Sequence, residues 1–424
     1  MILLKNGHIL DPYTGLDGVR DILIDNTGVI ARIAPEIDAP GAETDDLSGL
    51  TVSPGFVDTH VHFRDPGQTE KEDIFTGARA AAAGGFTTVV CMANTVPACD
   101  NAETLSGIYE RARQVRNVNV LQACAITRGL RGEELTDFAA LRRAGAAGFT
   151  DDGINLSNPV LARRAMEEAA RCGVLLSFHE EDPALLGSPG VNAGSQAAQK
   201  LGVPGADPRS EEIMVERDLA LARETGARVV FQHISSGRSV ELIRQAKAAG
   251  AAVYCEATPH HFSLTQDAVL IHGTYARMNP PLRTERDRQA IVDGLADGTI
   301  DMIATDHAPH TAAEKAREWG KAPSGIIGLE TAFSVGCTWL VRTGKLGKMQ
   351  LLEKMSRSPA QIYGLTGKSI AEGNHAELVL LDWEREVVYT AYQSKASNSP
   401  YTGKPLTGKV CGTVFGAMAT WNAR

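Results

Sequence analysis

The seven cysteines include no CxxC pair and lie scattered at positions 91, 99, 124, 172, 255, 337 and 411. An odd, dispersed set argues against a disulfide framework and for free thiols in a reducing cytosol. No apolar stretch reaches membrane-spanning length, and no basic-then-apolar leader precedes the first strand-like run, Ile2-Leu3-Leu4. The expectation is a cytoplasmic protein with no membrane partner. A basic surface is also lacking. Lys and Arg number 42 against 51 Asp and Glu, a net charge of −9, which argues against a nucleic-acid partner. One local Arg can still outweigh that field for a small substrate. The remaining composition, 43% hydrophobic and 22% charged, is ordinary for a soluble globular chain.

What is present divides the 424 residues into three parts. Residues 1–52 alternate short apolar runs with turn signals such as Asp11-Pro12 and Asn26-Thr27-Gly28, which predicts small antiparallel strands without helix. The segment 366–424 reads alike, through Ala376-Glu377-Leu378-Val379-Leu380-Leu381 and Val410-Cys411-Gly412-Thr413-Val414. The two ends are expected to pair into one composite β-sandwich. Between them, 53–365 repeats a strand-then-helix unit. Strands are expected near 54–60, 86–92, 118–125, 147–151, 174–179, 228–233, 251–256 and 300–305, with amphipathic segments such as 72–83, 133–144, 158–171, 210–224, 238–249 and 284–296 between them. Such alternation indicates βαβ units and a parallel sheet. Eight units favour closure into a (β/α)8 TIM-type barrel. The rival, an open doubly wound sheet, lacks its Gly-rich nucleotide loop after the first strand.

Metal-ligating residue types end five of these runs, from residue 60 to residue 306. They are His60 and His62 on the first strand, Asp152 after Gly148-Phe149-Thr150, His179 after Leu175-Leu176-Ser177-Phe178, His233 after Val229-Val230-Phe231-Gln232, and Asp306 after Met302-Ile303-Ala304-Thr305. Two residues apart on a strand, His60 and His62 share a face. An HxH pair alone is weak, but core histidines have no reason to fall together at strand ends, where a barrel gathers its catalytic groups. The economical reading is a two-metal amidohydrolase. Paired ions need a bridging anion, and many barrels of this kind use a carboxylated lysine on the fourth strand. No lysine occurs between Lys71 and Lys200, so that device is excluded. Asp152 is assigned as the bridge, with its neighbour Asp151 the alternative. Imidazole and carboxylate donors suit zinc, and also manganese or cobalt.

Arg64 follows His62 by two residues and should face the same site, where its planar fork suits a carboxylate. The bland reading pairs it with Asp65 or Glu72. Asn94 and Asn279 can both donate and accept, as a cyclic ureide requires, though such residues commonly serve turns. His310 could reach back as a second donor, while His307, His260 and His261 are read as packing or supporting residues. The segment 311–325, with Gly320, Pro323 and Gly325 and little apolar periodicity, reads as a mobile loop.

With these residues the chain resembles the class I dihydroorotases of the amidohydrolase superfamily. The resemblance rests on DTHVHFRDPG (58–67), Met92-Ala93-Asn94-Thr95, FTDDG (149–153), FHEED (178–182), QHIS (232–235), EATPHH (256–261), MNPPLR (278–283), ATDHAPH (304–310) and GLETAF (328–333). It implies zinc-dependent interconversion of N-carbamoyl-L-aspartate and L-dihydroorotate in pyrimidine biosynthesis. The implied centre holds two zinc ions, bridged by Asp152 and a hydroxide, on His60, His62, Asp152, His179, His233 and Asp306. Asp306 is the expected catalytic residue. The implied substrate-binding residues are His62, Arg64, Asn94, Asn279, His310, Ser324 and Gly325. One departure stands out: the family reads Pro-Phe-Gly where this chain has Pro323-Ser324-Gly325. A homodimer is the expected assembly; association with aspartate transcarbamoylase stays open, since no surface feature of the sequence reports it. Two rival readings are a dihydropyrimidinase-type enzyme, whose substrates lack the exocyclic carboxylate, and a non-catalytic relative, which would have lost ligands.

Overall fold

The computed structural model describes residues 1–422. The N-terminal strands are β1 (Ile2–Asp11), β2 (Leu16–Ile24), β3 (Ile30–Ala34), β4 (Glu43–Asp46) and β5 (Thr51–Pro54). Eight strands follow in the middle of the chain: β6 (Phe56–Val61), β7 (Phe86–Cys91), β8 (Asn119–Gln122), β9 (Phe149–Thr150), β10 (Leu175–Phe178), β11 (Arg228–Phe231), β12 (Val253–Ala257) and β13 (Met302–Ile303). The chain ends with β14 (Glu377–Val388), β15 (Pro405–Phe415) and β16 (Met418–Trp421).

Strands from both ends join one sheet in the order β16-β15-β14-β5-β1-β2-β3, with β4 also paired to β1. The hydrogen bonds form one sheet, branched at β1, rather than two separate sheets. The pairing is not wholly antiparallel as the N-terminal pattern suggested, because β4 and β5 both run parallel to β1. Turn residues mark where a strand stops, but not which neighbour the returning chain will join. Strand β14 shows why the termini hold together. Leu378 and Leu380 enter one core with Ile2, Leu4, Ile9 and Ile22, whereas Val379 and Leu381 enter the large core of the middle segment. Period-two alternation thus buries both faces of the strand.

In the middle, β6-β7-β8 and β9 to β13 are parallel throughout. Parallel bridges join the edges of these two groups, Cys124 to Phe149 on one side and Val61 to His307 on the other. Helices Ile74–Ala83, Ala102–Ala112, Phe138–Arg143, Pro159–Cys172, Arg209–Thr225, Gly237–Ala248 and Glu285–Asp297 lie between the strands. Pro159–Cys172 shows the local cause. Asn158 caps its first turn, Pro159 sits at N1, and Gly173 ends it in the left-handed region at φ 63°. Its buried stripe, Leu161, Ala162, Ala165, Met166, Ala169 and Cys172, follows helical spacing. No helix among the described residues is long and apolar enough to cross a membrane.

Candidate active site

The six expected ligands meet at one end of the parallel strands. His60 lies within β6 and His62 just beyond it, while Asp152, His179, His233 and Asp306 follow β9, β10, β11 and β13 within three residues. Backbone conformation helps aim them. Arg64, His233 and Asp306 all take left-handed backbone, at φ 58°, 33° and 49°, a costly choice for residues with a Cβ and typical of functional sites. Buried Asp58 secures the arrangement from beneath, accepting from the His60 N–H at 3.1 Å, the Thr305 N–H at 3.1 Å and the Thr305 hydroxyl at 2.5 Å.

Three imidazoles spend their outer nitrogen on an acceptor. Nδ1 of His60 donates to Glu256 Oε1 at 2.7 Å, Nδ1 of His62 to Asn94 Oδ1 at 3.0 Å, and Nε2 of His179 to Glu181 Oε2 at 3.0 Å. Each inner nitrogen then faces the cluster. His60 Nε2 lies 3.3 Å from Asp152 Oδ1 and 3.5 Å from Asp306 Oδ1. His62 Nε2 lies 3.4 Å from Asp152 Oδ2 and 3.0 Å from Asp306 Oδ1. His179 Nδ1 is 2.9 Å from His233 Nε2, which is 3.7 Å from Asp152 Oδ1.

The carboxylates draw positive charge into the cluster. Burial pushes the His60 imidazole down, but Asp152 and Glu256 outweigh it and hold it well above its ordinary value. Burial likewise opposes ionisation of Asp152 and Asp306, yet the neighbouring imidazoles keep both carboxyls below the usual range. His60 Nε2 is buried without a hydrogen-bond partner. Two triads, His60-Asp152-His233 and His60-His62-Asp306, each bring ligand atoms within 4.8 Å of one another. Donors about 2.0–2.1 Å from a zinc ion stand roughly 3.3 Å apart when tetrahedral, close to the spacings found here. The donor set fits a divalent metal.

Above the cluster opens a cavity of about 220 Å³. Every expected site residue except His60 lines it; His60 is fully buried. Arg64 faces the cavity and does not follow the bland pairing. Asp65 is taken by Arg111 at 2.6 Å, and Glu72 accepts from Thr76, Ser394 and His307. Among the described residues no carboxylate lies within ion-pair distance of Arg64. Its Nε donates to Pro309 O at 3.4 Å. His310 Nε2 donates to Ser324 O at 2.8 Å, so its 3.4 Å approach to Arg64 Nη2 is not an acceptor contact. Burial and the Arg64 charge push the His310 imidazole down to about 2. Asn279 Oδ1 accepts from the Ser324 hydroxyl at 3.1 Å, which leaves its amide N–H groups for the cavity. Gly325 needs to be glycine: its φ is +124°, and a Cβ would meet that of Ala308 at 2.6 Å.

Asn94 does more than line the cavity, since its Nδ2 also donates to Asp152 Oδ2 at 3.3 Å. Of the adjacent aspartates, Asp151 accepts from the Ile126 and Thr127 N–H groups at 2.8 and 3.0 Å, while Asp152 turns to the imidazoles. Sequence reasoning missed Glu256 and Glu181. Glu181 stands two residues after His179, a spacing that could have suggested it. His307 and His261 support the rim as expected, His307 against Glu72 and His261 Nε2 against Pro280 O at 3.0 Å.

An imidazole and carboxylate cluster at parallel strand ends, under a small polar cavity, defines a class, the metal-dependent cyclic amidohydrolases. The similar structures agree. An L-hydantoinase (dihydropyrimidinase) from Arthrobacter aurescens superposes with a TM-score of 0.87 at 27% identity, covering 99% of this chain and 96% of the other. A dihydropyrimidinase from Brevibacillus agri shares the fold at a TM-score of 0.85 and 21% identity, covering 99% and 95%. A family profile described as Dihydro-orotase-like matches residues 49–239. The dihydroorotase of Clostridioides difficile is 51% identical over all of both chains, and that of Streptococcus pneumoniae 46% identical, again over all of both. The chain belongs to the dihydroorotase family.

Proposed function

We propose that this enzyme interconverts N-carbamoyl-L-aspartate and L-dihydroorotate, opening and closing the cyclic amide. We also read its eight parallel strands as one (β/α)8 barrel, supported by the bridges that join both edges. The observation that carries the substrate is Arg64, a cavity-facing guanidinium without a carboxylate partner, beside the neutral His310. A ligand carboxylate would complete the pair, and dihydroorotate carries one where simple dihydropyrimidines do not.

His60, His62, Asp152, His179, His233 and Asp306 are the proposed ligands for two zinc ions. Asp152 is the proposed bridge, because its two oxygens face different imidazoles. Zinc bound there would supply Lewis acidity at the ring carbonyl and acidify a water. Asp306, kept ionised by the imidazoles around it, would accept the proton of the attacking water and return it to the departing ring nitrogen. Arg64 would fix the exocyclic carboxylate, His310 would hold the Ser324-Gly325 backbone beside it through its one N–H, and Asn279 would meet the ureide.

Replacing Arg64 by Met tests the assignment. Loss of hydrogen bonds to a charged group, about 1.5–3 kcal/mol, predicts a 10–100-fold rise in KM for dihydroorotate. Turnover of uncharged 5,6-dihydrouracil, measured in parallel, should lose no comparable factor. An equal loss on both substrates would contradict a carboxylate role for Arg64.

A further inference from the structure

The long connection between β14 and β15 leaves the terminal sheet and crosses to the cavity rim. It is pinned along the way, with Glu330 accepting from the Gln393 N–H at 2.9 Å and Ser394 bonding Glu72. At Asn398, only 2% exposed, it reaches the two segments that carry the substrate-facing residues. Asn398 Oδ1 accepts from the His310 N–H at 3.2 Å. Its Nδ2 donates to Ala308 O at 3.1 Å and Gly325 O at 3.0 Å. Its backbone carbonyl accepts from the Ile327 N–H at 3.1 Å.

One amide therefore ties the backbone at 308–310 to the backbone at 325, although Asn398 does not itself line the cavity. The bonds leave little freedom. His310 Nε2 already holds Ser324 O, and Ser324 Oγ holds Asn279. His310, Ser324 and Asn279 would shift together if the Asn398 anchor were lost.

We propose that Asn398 is a positioning residue for substrate, through which the C-terminal segment sets the carboxylate- and ureide-binding groups relative to one another. The inference rests on the dihydroorotate reading above. A residue that only stabilised the fold would affect all steps alike, whereas a positioning role acts on binding before chemistry.

The test compares Asn398→Ala, Asn398→Asp and a control, Ser394→Ala, which cuts a different anchor of the same connection. The aspartate keeps the shape and the acceptor while removing both donors. Steady-state kcat and KM are measured with dihydroorotate. The dissociation constant of orotate, a planar carboxylated pyrimidine, is measured by calorimetry, and thermal unfolding is followed for all variants. Both Asn398 variants should raise KM and the orotate dissociation constant at least tenfold with kcat within about threefold, while Ser394→Ala leaves both constants near wild type. Unchanged KM and orotate affinity in Asn398→Asp would overturn the proposal, as would an equal rise in Ser394→Ala at matched stability. If Asn398→Ala does not fold, Asn398→Asp decides alone. Wild-type protein inert toward dihydroorotate would instead overturn the substrate reading.

Discussion

Each imidazole proposed as a ligand is only as well aimed as the group behind it. Glu256 receives His60 Nδ1 and also the Thr59 hydroxyl at 3.0 Å, which fixes the ring and raises its basicity. Replacing Glu256 by Gln should weaken zinc binding about 10–100-fold, as read by competition with a chromophoric chelator. Unchanged affinity would remove Glu256 from the metal's support. At the rim, His310 is held neutral by burial and by Arg64. Its value sits far below 6.5, so protonation is confined to strongly acid solution and His310 has no titration between pH 5 and 8. The kcat/KM profile of His310→Gln should be lower than wild type but of the same shape; loss of an acid limb in that variant would refute the neutral assignment. The candidate ligands stood out in the sequence because short apolar runs turn polar at their ends. Glu256 did not, because its partner lies 196 positions away and only the tertiary arrangement of strands brings them together. The choice between Asp151 and Asp152 was equally hidden, since it depends on which carboxyl the Ile126 and Thr127 N–H groups capture.

At the scale of elements, helix and strand positions in the middle segment followed the apolar periodicity closely, with the expected 158–171 realised as Pro159–Cys172. The segment 311–325 has little apolar periodicity, and its anchors are polar. Thr311 and Glu314 form a capping box on Ala312–Lys315, and Lys71 pairs with Glu314 at 3.0 Å. Lys315, 1% exposed, donates to Pro323 O at 2.9 Å and Gly325 O at 3.0 Å. Burial and the nearby Arg277 bring its ammonium down to about 7. Lys315→Met should lower stability by about 1–3 kcal/mol through unsatisfied carbonyls, measured by urea unfolding, and speed amide exchange at 323–326. Rapid exchange there already in the wild-type protein would contradict the anchored description.

For the molecule as a whole, the terminal sheet and the parallel strands depend on each other. Val379, Leu381, Trp383 and Tyr401 belong to the same core as the strands that carry the candidate ligands, and the β14–β15 connection bonds to the segments that line the cavity. The expected pairing of the two ends is realised in the sheet, where β14 pairs with β5. The crossing of Asn398 to the site was invisible, because the segment around it has no periodicity and its bonds are to backbone groups that any sequence could offer. A divalent-metal centre acting on a carboxylated cyclic ureide is tested by turnover of L-dihydroorotate by the purified protein, with metal content determined on the same sample before and after chelation. The expected result is turnover with about two zinc ions per chain, loss of turnover on chelation, and recovery when zinc is restored. Full activity in metal-free protein, or none in fully metallated protein, would contradict it.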